Sequence, residues 1–127
     1  MSATLLTRVH DHIDDAGLIT GYAVRYFRWT DADLAGNTPI IMFRQSGSGA
    51  SDELLQNTRV SIVLLANPTG VVAADTRAQA IQRLLRGDTV PTGIVRFDPV
   101  GAVRGPLMLE NGRQAFEVIV ACYTEDQ

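Results

Sequence analysis

The stretch that constrains the fold most is an apolar run, a turn and a helical pattern in direct succession between residues 59 and 87. Five closely spaced apolar residues, most of them β-branched, predict a buried strand: Val60, Ile62, Val63, Leu64 and Leu65. The strand must end at Asn67-Pro68-Thr69-Gly70, because proline lacks an N–H donor and glycine permits a turn. Apolar residues at helical spacing then predict a helix that ends near Gly87: Ala74, Ala78, Ile81, Leu84 and Leu85. We therefore expect a central strand followed by a helix that covers the same sheet.

The flanking segments predict further elements around this centre. An amphipathic helix is expected over 2–17, and short apolar or alternating segments predict strands over 22–29, 39–44, 94–97, 107–110 and 114–123. Residues 30–38 and 98–106 are predicted to be loop or irregular, and Asn111-Gly112 favours a type I′ turn between the last two strands. The order predicts an α+β fold with a mostly antiparallel sheet and two main helices packed on one face. We expect one domain over residues 1–127.

A flexible loop is predicted within this domain around residues 45–57. Its first part, Gln45 to Ser51, reads QSGSGAS, a composition typical of flexible linkers. Asp52 to Asn57 either carries a turn of helix or extends the loop. The loop is a candidate for a segment that becomes ordered against a partner.

The composition excludes several classes of protein. A net charge of -3 argues against a dedicated nucleic-acid binder, and all eleven basic residues are arginines, so lysine chemistry is absent. The single cysteine, Cys122, excludes an internal disulfide and a cysteine-based zinc cluster. The first 17 residues carry acids and histidines rather than an apolar signal region, and no apolar run is long enough to span a bilayer. We therefore expect a soluble, intracellular protein without membrane contact.

The sequence contains only weak signals for a catalytic, metal-binding or phosphate-binding site. His10 and His12 are two positions apart and point in different directions on a helix, so they are not expected to share a metal. The segment from Asp31 to Gly36 lacks two ligands of a calcium loop. Arg77, Arg83 and Arg86 form either a solvated face paired with acids or, less favoured, a phosphate-binding patch. We assign no catalytic, cofactor-binding or metal-binding residue, and we expect a protein that is not an enzyme.

The aromatic residues instead favour a protein interface. They concentrate on the predicted strand over 22–29, which carries bulky side chains on both faces. One face can pack against the helices, whereas the other is covered by the same domain or by a partner; both alternatives remain open. The candidate interface residues are Phe27, Trp29, Arg44, Leu54 and Leu55.

In the order of its parts, the chain resembles the tail terminator proteins of long-tailed bacteriophages, also called minor tail protein U-like or tail completion proteins. The matching parts are the helix Leu5 to Ile13, the strand Tyr22 to Trp29, the strand and helix from Arg59 to Leu85, and the terminal strands from Ile94 to Tyr123. The likeness covers nearly the whole chain. It departs from the family in the Ser46–Ala50 insert and in Gly101–Pro106.

This resemblance implies a structural protein of a phage or prophage tail that needs no cofactor. Such proteins form a ring, typically a hexamer, on the finished tail tube, end its polymerisation and present a surface to the head–tail connector. The implied partners are further copies of the chain, the tail tube protein and the connector protein, while DNA passes through without sequence-specific binding. The implied location is the virion tail, after assembly in the host cytoplasm. The alternatives are a small α+β ligand- or protein-binding module with a regulatory role and, with less support, an enzyme using His10 or His12.

Overall fold

The computed structural model describes residues 2–48, 55–87, 89–109 and 112–125. Within these residues the helices are α1 (Ser2–Asp15), α2 (Asp31–Ala35) and α3 (Val71–Arg86). The strands are β1 (Ala23–Tyr26), β2 (Ile40–Ser48), β3 (Leu55–Leu65), β4 (Arg96–Pro99), β5 (Arg104–Met108) and β6 (Gln114–Glu125). The predicted α+β class is confirmed. No helix in the described ranges combines the length and the apolar character needed to cross a membrane.

The strands form one sheet in the order β1-β2-β3-β6-β4, and β5 pairs with the part of β6 that β4 leaves unpaired. The long central pair, β3 and β6, is antiparallel over its whole length, from Leu55 opposite Glu125 to Leu65 opposite Ala115. The β1–β2 pair is parallel and every other pair is antiparallel. The sheet is therefore mostly antiparallel, as predicted, and the strand predicted from Val60 to Leu65 lies at its centre.

One face of the sheet carries the main core, which forms because apolar residues alternate along the central strands. The inward side chains of β3 are Val60, Ile62 and Leu64, all fully buried. They belong to one cluster with the apolar stripes of α1 and α3: Leu5, Leu6, Val9, Ile13, Ala74, Ala78, Ile81 and Leu85. Both main helices thus pack on the same face, as the sequence predicts. We call the opposite face of the sheet the second face.

The first strand is shorter than the predicted 22–29 because the chain turns sharply at Phe27. Phe27 has a φ of 73°, a conformation that non-glycine residues rarely adopt. The N–H of Arg28 donates to the carbonyl oxygen of Tyr26 at 2.9 Å, which closes a γ-turn. Beyond it, residues predicted as loop contain α2, which begins after Thr30 with a capping box formed with Asp33.

Strands β2 and β3 extend into the predicted flexible loop at both ends. Residues 45–48 belong to β2 and residues 55–57 to β3, and the two strands stay paired up to Ser48 opposite Thr58. The alternative of a helical turn over 52–57 is therefore wrong for residues 55–57. Residues 49–54, which include the predicted interface residue Leu54, lie outside the described residues.

Strands β5 and β6 form the predicted hairpin, but the turn between them is not of the predicted type I′. The closing hydrogen bond runs from the N–H of Leu109 to the carbonyl oxygen of Arg113 at 2.7 Å. Three residues separate this pair, whereas a type I′ turn would leave two. Gly112 has a φ of 75°, the left-handed conformation typical of the last residue in a three-residue loop. The strand predicted over 94–97 lies instead at Arg96–Pro99, and β5 begins at Arg104, inside the segment predicted to be irregular.

Candidate functional site

The second face of the sheet carries an apolar groove of about 210 Å³. Its floor consists of residues that alternate with the inward-facing core: Met42, Val63 and Ala115 are all buried. Trp29 and Leu109, both half-buried, pack against this floor, and Leu107 is 42% exposed beside it. We define the groove by its lining residues: Trp29, Met42, Arg44, Val63, Leu107, Leu109, Ala115 and Glu117. The fold therefore leaves an apolar surface open on the side away from α1 and α3.

A buried carboxylate organises the charged side of the groove. Glu117 accepts a hydrogen bond from the Ser61 hydroxyl at 2.5 Å. Its Oε2 atom lies 3.5 Å from Arg44 Nη2, and its Oε1 atom lies 3.4 Å from Arg104 Nη1. Two guanidinium groups thus share one carboxylate, which leaves this side of the groove with an excess positive charge. Arg44 and Arg104 remain 46% and 62% exposed, so both retain donors that face solvent.

Arg113 connects the segments at the edge of the second face by hydrogen bonds. Its side chain is 2% exposed, and burial lowers the pKa of its guanidinium. Nε donates to the carbonyl of Ala66 at 2.9 Å, and Nη2 donates to that of Thr38 at 2.9 Å. Nη1 donates to carbonyls at the end of α2, namely those of Asp33, Leu34 and Gly36. This cation therefore joins β3 and β6 to the C-terminal end of α2, where positive charge is favoured.

Helix α2 is held from its other end by an ion pair. Arg25 on β1 forms two hydrogen bonds with the carboxylate of Asp33, at 2.9 and 3.1 Å. Those bonds, and the backbone N–H of Thr30, lower the pKa of Asp33 to about 2. Leu34 then packs against the apolar cluster of the second face. The apolar cluster that supplies the groove floor therefore packs against a helix that is fixed at both ends.

The structure brings two of the predicted interface residues together and separates the others. Trp29 and Arg44 both line the groove. Phe27 is 52% exposed at the γ-turn and does not line it. Leu55 begins β3 at the opposite end of the sheet. The grouping of Trp29 and Arg44 follows from the strand ending at Tyr26, which lets the chain carry Trp29 onto the second face.

Sequence reasoning did not select three charged residues at this site: Arg104, Arg113 and Glu117. Glu117 is the one charged residue between Ala115 and Tyr123, and such a charge in an apolar strand is a usable signal of a paired group. Arg104 and Arg113 carry no comparable signal, because their partners are set by the pairing of β5 with β6 and by the position of α2.

Of the three α3 arginines that the sequence groups together, Arg77 contacts another part of the chain. Arg77 Nη1 donates to the carbonyls of Leu18 and Thr20 at 2.8 and 3.0 Å, and its guanidinium lies 5.0 Å from the ring centre of Tyr22. Arg77 therefore joins α3 to the segment before β1. These contacts of Arg77 are with carbonyl oxygens and an aromatic ring, and they match neither of the two predicted roles, pairing with acids or binding phosphate.

The two histidines of α1 lie against different strands, as their spacing predicts. The ring centre of His10 lies 5.7 Å from that of Phe43 on β2, and the ring centre of His12 lies 5.4 Å from that of Phe97 on β4. Strands β3 and β6 separate these two positions. The histidines therefore do not converge on one site.

The buried His12 is expected to make stability depend on pH. Burial lowers the pKa of His12 below its usual 6.5, against a smaller opposing effect of Asp15, and Nε2 has no hydrogen-bond partner among the described residues. Because the folded state binds this proton less readily than the unfolded state, its contribution is complete above pH 6.5 and decreases as the pH falls through the folded-state pKa. Urea unfolding of His12→Phe across this range should show a weaker pH dependence than the original chain. An unchanged dependence would contradict this role of His12.

Comparisons with known proteins agree with this architecture. A family model described as phage tail termination protein matches residues 2–126. A chain in a solved structure described as the virion of a native gene transfer agent (GTA) particle superimposes with a TM-score of 0.63 and 14% sequence identity. The alignment covers 96% of this chain and 95% of that chain, and at this identity it shows a shared fold. No curated protein matches the sequence.

Proposed function

Because the chain belongs to the phage tail termination protein family and is thus a structural protein of the phage tail, we propose that it caps the tail tube as a ring of identical subunits. The proposed ring is a hexamer that ends tube polymerisation. One side contacts the tail tube protein and the other contacts the head–tail connector protein, while DNA passes through the opening without sequence-specific contacts. Subunits assemble in the host cytoplasm and remain in the virion tail.

The observation that carries this proposal is the open groove on the second face. It combines a buried apolar floor with Leu107, a lining residue of β5 that is 42% exposed. Exposed apolar surface next to charged residues is typical of protein interfaces, in which aromatic residues and arginine are enriched. The groove contains Trp29 and Arg44, and Arg104 lies beside it in an ion pair with the lining residue Glu117. We infer that a protein partner covers it in the assembled tail.

A ligand-binding module is a weaker alternative. Pockets for small molecules usually enclose about 300–1,000 Å³. The groove is smaller, at about 210 Å³, and is lined mainly by apolar side chains. We therefore favour a protein surface and a structural role without enzymatic activity.

The test is the length of tails made with and without this protein. In cells that produce the phage or prophage particle, loss of the gene should give overlong tubes without heads, and restoring the gene should return uniform tails with attached heads. Native mass measurements should also show a ring-sized oligomer, in solution at high concentration or on isolated tail tubes. Normal tails without the gene, or a protein that stays monomeric and never binds tubes, would contradict the proposal.

A further inference from the structure

The charges around the groove indicate the chemical character of the segment that would bind there. Arg44 and Arg104 share the single carboxylate of Glu117, so one positive charge remains uncompensated at its side. The adjoining floor of Met42 and Val63 is apolar. A complementary segment therefore carries carboxylates immediately beside a large apolar side chain.

The chain itself carries such a segment. Between Ser48 and Leu55, the sequence includes Asp52-Glu53-Leu54, two adjacent acids followed by leucine. We propose that this segment of one copy occupies the groove of the next copy, with its carboxylates on Arg44 and Arg104 and with Leu54 on the apolar floor. This inference rests on the proposed function and specifies the contact between neighbouring subunits of the ring.

The length of β3 excludes the same contact within one chain. Leu54 is bonded directly to Leu55, the first residue of β3, and Val63 follows Leu55 by eight positions. At about 3.3 Å per residue, the two ends of this stretch are roughly 26 Å apart. A leucine side chain cannot span that distance. The groove that receives Leu54 must therefore belong to another copy.

This geometry produces a head-to-tail assembly. Leu55, which follows the donor segment in the chain, and the groove lie at opposite ends of the sheet, so each copy offers one donor and one groove. Such a heterologous contact leaves an unused donor and an unused groove at the ends of every open chain of subunits. If the rotation between neighbouring copies closes the chain of subunits into a ring, every donor segment occupies a groove and none is left unused.

Cysteine cross-linking tests the contact directly. The native Cys122 is fully buried and burial raises its pKa to about 12, so it does not interfere. Leu54→Cys and Leu107→Cys chains, one carrying a size tag, should form a mixed disulfide dimer when they are combined and oxidised. The matched control replaces Leu107→Cys with Val72→Cys, which is 80% exposed on α3 and should give no mixed dimer. Failure of the first pair to cross-link in a chain that still forms rings would overturn the inference.

A double-mutant cycle tests the charges. Neutralising the donor (Asp52→Asn with Glu53→Gln) and neutralising the groove (Arg44→Gln with Arg104→Gln) should each weaken self-association about tenfold. Because both remove the same contact, combining them should still weaken it only about tenfold. Arg83→Gln, at an exposed position of α3, is the control and should leave association unchanged. Thermal melts establish that each variant is folded.

The outcomes separate this inference from the proposed function. If rings form but the two sets of substitutions act additively, the donor and groove do not meet, and the ring is built through another contact. If the original chain forms no ring in solution or on tail tubes, both the proposed function and this contact are overturned.

Discussion

Replacing Arg113 by methionine is expected to lower the free energy of unfolding by about 3–5 kcal/mol, which is the effect of breaking a buried charged network. The substitution removes the buried guanidinium and leaves carbonyl groups of three segments without their donor: Asp33, Leu34, Gly36, Thr38 and Ala66. Methionine fills much of the volume but donates no hydrogen bond. Urea unfolding followed by circular dichroism measures the change.

Two further variants show whether the hydrogen bonds of Arg113 cause this effect. Arg83→Met, at an exposed position of α3, should change stability by less than about 0.5 kcal/mol. Arg113→Lys should recover only part of the loss, because an ammonium has three donors and lacks the planar arrangement that reaches several carbonyls together. If Arg113→Lys is as stable as the original chain, the charge alone matters and the hydrogen-bond argument is wrong.

Substituting Gly105 by alanine is expected to lower the free energy of unfolding by about 2–4 kcal/mol through backbone strain and overlap. Gly105 has a φ of 135°, and a Cβ atom there would lie 2.8 Å from the carbonyl oxygen of Ala115 and 2.8 Å from Phe116 Cδ2. The pairing of β5 with β6 should therefore loosen first. Trp29, the one tryptophan in the chain, lines the groove with Leu107 of β5, so its fluorescence should shift at lower denaturant than the circular dichroism.

Gly101→Ala is the matched control for that substitution. Gly101 also has a positive φ, 74°, but a Cβ atom there would meet nothing within 4 Å. Only the conformational strain remains, about 1–2 kcal/mol. Equal losses for the two variants would show that the close approach to β6 contributes nothing.

The sequence predicted those parts of the fold that local periodicity determines. The apolar run of β3 and the helical spacing of α3 depend on residues within one segment. Helix α3 lies where it was expected, and β3 contains the predicted strand but begins earlier, at Leu55. The placement of α1 and α3 on one face also follows, because each has a single apolar stripe. Strand β1 was predicted too long, because nothing in the aromatic segment indicates that Phe27 adopts a positive φ.

The candidate site was predictable only in part, for a related reason. Trp29 and Arg44 could be selected as residue types common at interfaces, and both line the groove. The ion pairs of Glu117 with Arg44 and Arg104 depend on the pairing of β2, β3, β5 and β6, which no local pattern specifies. Arg113 donates to carbonyls 75 to 80 residues away in the sequence, and such contacts exist only after the chain has folded.

The outer strands of the sheet have a consequence for the proposed role in ending the growth of a tube. Strand β1 has four residues and ends at the γ-turn, while β4 and β5 on the other side include Pro99 and Pro106, which lack an N–H donor. Short or proline-containing border strands recruit further strands poorly. Backbone pairing between copies at these border strands, which could continue without limit into fibrils, is therefore disfavoured. At these borders the proposed association is left to side chains, whose fixed geometry can define a finite number of neighbours.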